Sequence, residues 1–190
     1  MEEGATRITT SYPYLMENNS IGLRLMTRED TENIVKWRNN KRVRANFVYR
    51  EEFTIAGHEK WIKTMVETSK VVQLIMCEKV TNQPIGSIYF RDIDWEQKEA
   101  EYGIFIGEDS AIGKGYGSMG AKLALEFAFK DKKEGGLGLE TIDLRVFLDN
   151  ISAKNSYVSA GFEPVRTIKN VECSDGELKD MLWMEIKKKR

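Results

Sequence analysis

The stretch that most constrains this chain is EDSAIGKGYGSMGAKLALEFAF, from Glu108 to Phe129. It sets glycines at 113, 115, 117 and 120 directly before an alanine- and leucine-rich run. Glycine costs about 1 kcal/mol relative to alanine inside a helix. A cluster at a helix start therefore needs a cause: a backbone turn where side chains clash, or close approach to bare N–H groups. Upstream, AEYGIFI alternates apolar and polar residues like a strand, and downstream TIDLRVFL does the same. A strand–helix–strand passage of this kind implies a parallel pair with a helix crossing over it.

The rest of the chain supplies the neighbours of that pair. IGLRLM, Ile21 to Met26, reads as a first strand. Thr27 and Asp30 form a capping box with a shortened acid, opening a helix through Ile34, Val35 and Trp37 that ends near Asn39 and Asn40. Thr54 is placed to cap a second helix across His58, Trp61, Ile62 and Met65. VVQLIMCE, PIGSIYFRDI and AEYGIFI are strands joined by the turns TNQP and WEQKEA, which argues against an all-parallel sheet. The third helix carries Met119, Leu123 and Phe127 on one face, and the glycines of EGGLGL fit its C-cap. NISAKNSYVSAGF is a short helix closed by Gly161, and two further strands follow. The expected class is α/β (α+β), a mixed sheet of about seven strands with about four helices.

Composition narrows the function classes. Hydrophobic residues at 41% and charged residues at 31% fit one folded domain, read as residues 20–190 behind an N-terminal extension of residues 1–19. That extension is polar with acidic residues near its start, unlike a signal peptide. A net charge of −1 gives no global field for nucleic acid. No apolar run approaches the roughly 18 residues of a membrane span. His58 is the single histidine, so a multi-histidine metal site is excluded and no metal is expected. Cys77 and Cys173 form no CxxC pair and read as free thiols of a cytoplasmic protein.

Gly115, Gly117 and Gly120 match G-x-G-x-x-G, but eight residues separate them from the strand end at Ile106 and one strand–helix–strand unit remains. The Walker pattern fails because Gly115 follows Lys114 where Ser or Thr is required. A diphosphate cradle of another kind fits: glycine N–H groups opening a helix, with Lys114 beside them.

At these residues the chain resembles the GNAT acyl-CoA N-acetyltransferases. IGKGYG, Ile112 to Gly117, matches the glycines of their Q/R-x-x-G-x-G/A signature, with Ile112 departing at the first position. NISAKNSY matches the family's N-x-x-A-x-x-x-Y, followed by Gly161 and Phe162 at the usual distance. The resemblance covers about residues 21 to 187, including the strand order. It implies a splayed sheet with acetyl-CoA in the gap between the fourth and fifth expected strands. It also implies cofactor contacts from Ile106, Ile112, Gly113, Lys114, Gly115, Tyr116, Gly117 and Asn150, and direct attack of a substrate amine on the thioester. Tyr157 looks like the general acid for the thiolate, since a phenol keeps its proton at neutral pH. Main-chain amides near Gly103 to Phe105 look like the oxyanion partners. Glu101 shares a strand face with Glu99, Gly103 and Phe105 and is a candidate general base, with Asp92 as the alternative.

The acceptor side of this superfamily lies between the first two strands. Trp37, Arg38, Asn39, Arg44 and His58 there resemble two groups. One is the ribosomal-protein N-terminal acetyltransferases; the other acetylates 4-amino sugars linked to a nucleotide diphosphate. The WRN and H-x-x-W pieces lean toward the second. Tryptophan could stack on a sugar and arginine could grip a diphosphate. Trp37 and Trp61 also have core-facing spacing. Diamine acetyltransferases share much of the pattern, and Glu51, Glu52, Asp92, Asp94 and Glu96 would then line a polyamine site. A non-catalytic acyl-CoA-binding module and a nicotinamide-dependent reductase are the readings from other classes. A homodimer stays open.

Overall fold

The computed structural model describes residues 13–189. Among these, eight strands form one mixed sheet: β1 (Met16–Glu17), β2 (Ile21–Leu25), β3 (Val72–Glu78), β4 (Gln83–Asp94), β5 (Glu99–Ile106), β6 (Thr141–Phe147), β7 (Glu163–Glu172) and β8 (Leu178–Lys187). Their order across the sheet is β1-β2-β3-β4-β5-β6-β8-β7, antiparallel throughout except for the parallel pair β5–β6. The helices are α1 (Thr31–Asn39), α2 (Lys41–Arg44), α3 (Ile55–Trp61), α4 (Tyr116–Phe129) and α5 (Ile151–Ala160). The mixed sheet, the crossover through α4 and the hairpin-linked strands are as the sequence implies.

Four local features differ from the sequence reading. The N-terminal extension is paired to the sheet by β1, with Met16 opposite Leu23; residues 1–12 of it lie outside the described residues. Helix α2 was not expected, because KRVR is too short to show a period; Asn40 caps it by accepting from the Arg42 N–H at 2.9 Å. The second expected helix passes at Ile62 into a π turn, Ile62–Val66, where the Glu67 N–H reaches the Ile62 carbonyl. The glycines of EGGLGL do not cap α4. That helix ends at Phe129, and Gly135, at φ 85°, closes a separate 3-10 turn, Lys132–Glu134.

Why VQLIMC is apolar without alternation is explained by its two covers. Leu74 and Met76 face a core built with α4 and α5, whereas Ile75 and Cys77 face a second core with Ile34, Trp37 and Ile62. A strand covered on both faces reads as a continuous apolar run. Gly120 of α4 sits against the sheet so closely that a Cβ there would meet Met76 Sδ at 3.2 Å and Ile88 and Ile104 Cδ1 at 3.3 Å. It is a packing residue of the helix–sheet contact.

The consequential feature is a fork. Strands β5 and β6 pair only at Glu99–Thr141, Ala100–Ile142 and Glu101–Asp143. Beyond that point β5 runs on to Ile106 and β6 to Phe147 without meeting. Backbone groups along an unpaired edge require partners from elsewhere.

Candidate active site at the strand fork

A cavity of about 1280 Å³ opens at the fork and runs between α1–α3 on one side and α4–α5 on the other. Its wall includes Glu101 to Ile106 of β5, Arg145 and Val146 of β6, Gly117 of α4, and Asn150, Ser156 and Tyr157 around α5. Part of the set expected to hold the donor, Ile106, Ile112, Gly117 and Asn150, therefore shares one space with Glu101 and Tyr157.

The loop before α4 carries left-handed glycines at 113 (φ 77°) and 115 (φ 75°), the second acting as the α4 N-cap. A Cβ at Gly113 would meet nothing within 4 Å, and one at Gly115 only Met119 Cε at 3.9 Å. The glycines are thus fixed by backbone conformation, and the space before them is open, with the positive end of a 14-residue helix behind it. These features fit the diphosphate of an acyl-CoA. Of the expected cofactor residues, Ile106, Ile112, Gly117 and Asn150 line the cavity; Gly113, Lys114, Gly115 and Tyr116 lie outside its wall. Lys114 and Tyr116 are both engaged by Glu78, through Lys114 Nζ at 3.0 Å and the Tyr116 hydroxyl at 2.7 Å. The Tyr116 and Lys114 hydrogen bonds hold the Glu78 carboxyl down at about 2. This buttress from β3 had no signal in the sequence.

Tyr157 is buried, with its ring edge-on to Tyr102 and Phe162. Burial pushes its phenol well above the ordinary tyrosine value. Asn150 does two things: its Oδ1 accepts the Ala153 N–H at 3.1 Å, capping α5, and its Nδ2 donates to Asn46 Oδ1 at 2.8 Å.

Glu101 reaches the cavity, but both its oxygens are engaged. Oε1 accepts from Arg91, through Nε at 3.0 Å and also through Nη2, and Oε2 accepts from Arg145 Nη1 at 2.6 Å. With most of its lone-pair directions occupied, it is poorly disposed to take a proton from an amine. Beside it, Asp143 has a buried Oδ1 without a hydrogen bond, and burial together with Glu101 raises its carboxyl to about 6. Asp92 lies on the cavity wall at a bulge in β4, largely exposed, 3.6 Å from Arg91 Nε.

On the acceptor side, the five expected residues divide. Arg38 and His58 line the cavity. Trp37 does not: it is fully buried, its ring lies where a Cβ of Gly107 would be, and its Nε1 donates to Glu108 at 2.7 Å. Asn39 holds the following loop through two 2.8 Å bonds with the Phe53 backbone and is absent from the wall. Arg44 is also absent from it. The physical reason is helical phase: in α1, Trp37 turns into the second core while Arg38 turns to the cavity. His58 bonds Thr31 Oγ1 through Nδ1 at 3.2 Å and stacks on Trp61; burial lowers its pKa. Of the acids expected for a polyamine, Glu52 and Asp92 reach the wall and Glu51, Asp94 and Glu96 do not. Phe47, Tyr49, Phe53, Tyr89 and Arg91 line it as well and were missed. They come from a loop and a strand face with no motif.

The described residues bring Cys173, Asp175 and Glu177 within metal-ligand spacing, but both carboxylates already pair with Arg50. No helix among the described residues is long and apolar enough to cross a membrane.

A family model for the acetyltransferase (GNAT) domain matches residues 20–163, well over half of the chain. No curated protein matches in sequence. Among solved structures, the chain is similar to spermidine N-acetyltransferase from Vibrio cholerae in complex with CoA and spermine. The TM-score is 0.79 at 22% identity, over 90% of this chain and 96% of that one. A dodecameric structure of the same Vibrio cholerae enzyme in an intermediate state gives a TM-score of 0.75 at 22% identity, over 90% and 95%.

Proposed function

Because the chain belongs to the GNAT acetyltransferase family, we propose that it moves an acetyl group from acetyl-CoA to a small primary amine in a ternary complex at the β5–β6 fork. The observation that carries this is the fork itself: β5 stops pairing with β6 after Glu101, and its free edge runs past the buried Tyr157 toward the left-handed glycine loop that opens α4. Acetyl-CoA supplies the acetyl group as a thioester. The chain's own groups do the rest. The α4 N-terminus and its glycines hold the diphosphate, and the open edge of β5 offers hydrogen bonds along the donor's length. Tyr157 gives its proton to the departing sulfur as the N–C bond forms and the C–S bond breaks. Glu101 positions Arg91 and Arg145, and Asp92 takes the proton released by the amine.

The identity of the acceptor rests on two supports. The spermidine-acetylating neighbours favour a polyamine. The WRN and H-x-x-W pieces suggest a nucleotide-linked amino sugar, and of their residues only Arg38, His58 and Trp61 line the cavity. Two free, buried cysteines fit a cytoplasmic setting, and the dodecameric neighbour supports self-association.

Thiol release from acetyl-CoA, followed with amines of each class, tests the reading. Amine-dependent release is expected, and Tyr157→Phe should lower kcat by about 10²–10⁴-fold with little change in KM for acetyl-CoA. CoA binding without turnover on any amine would instead identify a non-catalytic module.

A further inference from the structure

We propose that the acceptor amine carries an anionic group, a phosphate ester or a carboxylate, and that Arg38 receives it. This rests on the acetyltransferase reading of the same cavity. Arg38 is 7% exposed yet has no carboxylate partner among the described residues. Its guanidinium carbon lies over the Phe47 ring, 3.3 Å from the centroid, and 4.5 Å from the centroid of Phe53. Among the described residues it makes one hydrogen bond, Nη2 to the Tyr49 carbonyl at 3.3 Å, and Nε is buried with none. Burial and a second cation, Arg91, both act against its charge. A buried, unpaired cation is costly to keep. A ligand that brings the counter-charge offsets that cost, and a planar guanidinium suits the forked oxygens of phosphate or carboxylate.

The other charges on the wall support this. Arg42 is neutralised by Asp109, with Nη2 at 2.7 Å and Nε at 3.0 Å. Arg91 and Arg145 share Glu101. Asp92 lies beside Arg91, and Glu52 is solvent-exposed. Among the described residues of the cavity wall, Arg38 is thus the arginine without a carboxylate partner. A polycation would have to approach Arg38 against like charge.

Binding separates the cases. The full-length protein, with and without saturating CoA, is titrated with O-phosphoethanolamine, β-alanine and spermidine by calorimetry. The proposal expects one or both anionic amines to bind and spermidine to bind weakly or not at all. The phosphate and carboxylate arms identify which anion is preferred. Arg38→Gln should weaken the anionic amines by about ten- to a hundredfold and leave CoA affinity unchanged. Arg38→Met should leave the unliganded protein at least as stable as the parent, because it removes a buried unpaired charge. Tight spermidine binding indifferent to Arg38→Gln, or a clear drop in Tm for Arg38→Met with all amines affected equally, would overturn the proposal. Failure of CoA to bind counts against the acetyltransferase reading instead, while the arms without CoA still report on Arg38.

Discussion

Tyr157 and Asp143 sit on either side of the fork, and burial moves both toward their protonated forms. For Tyr157 the consequence is kinetic. A phenol held above its ordinary value of about 10 stays a proton donor through the whole working range. The pH profile of kcat should therefore show no alkaline fall assignable to tyrosine up to about pH 10. A decline near pH 8 would point to another acid. For Asp143 the consequence is stability. Its carboxyl titrates near 6 in the fold and lower in the unfolded chain, so the native state binds more protons between those values. Stability therefore falls as pH rises through that window. Asp143→Asn should raise Tm most above about pH 7, with the gain shrinking toward about pH 4; melts across that range check the sign. Tyr157 was legible because it belongs to a motif. Asp143 was not, because its environment comes from the register Glu101–Asp143 between strands about forty residues apart.

At the scale of elements, the start of α4 was the most legible part of the molecule. Left-handed backbone at Gly113 and Gly115 leaves glycine as nearly the sole choice, so the constraint is written in the sequence. What holds that loop was not written there. Glu78 comes from β3 and engages Lys114 and Tyr116 together. Glu78→Gln removes a negative charge beside the proposed diphosphate site and frees Lys114. KM for acetyl-CoA should fall and its dependence on salt should steepen. An unchanged salt dependence would mean that Lys114 stays out of the site. The α1 segment shows the converse lesson. Its residues were noticed for chemistry, yet Trp37 serves the fold by filling the space over Gly107 and bonding Glu108. Adjacent residues in one helix point about 100° apart, and a motif read as a string does not resolve which faces the cavity.

At the scale of the whole molecule, hairpin-linked strands and one crossover were enough to specify a mixed sheet; its cover on both faces came from the structure. The splay was not deducible from them. It depends on where β5 and β6 stop pairing, which no local pattern encodes; the family resemblance alone suggested it. The two halves of the cavity are tied across the sheet end by α1–α2 and the loop after β5. Lys36 and Trp37 both bond Glu108, and Arg42 bonds Asp109 and the carbonyls of Ile106 and Gly107. Glu108→Ala leaves the buried indole N–H without its acceptor and should cost about 1–3 kcal/mol, a few degrees in Tm. A thermal melt showing no loss would mean that this tie is unimportant. Whether the fork and the glycine loop together make an acyl-CoA site is decided by a thermal shift with acetyl-CoA against a nicotinamide dinucleotide. Acetyl-CoA at about 100 times its Kd should stabilise the protein by about 2.7 kcal/mol, roughly 5–11 °C for a chain of this size. The dinucleotide should give no shift; a clear shift with the dinucleotide and none with acetyl-CoA would rule an acyl-CoA site out.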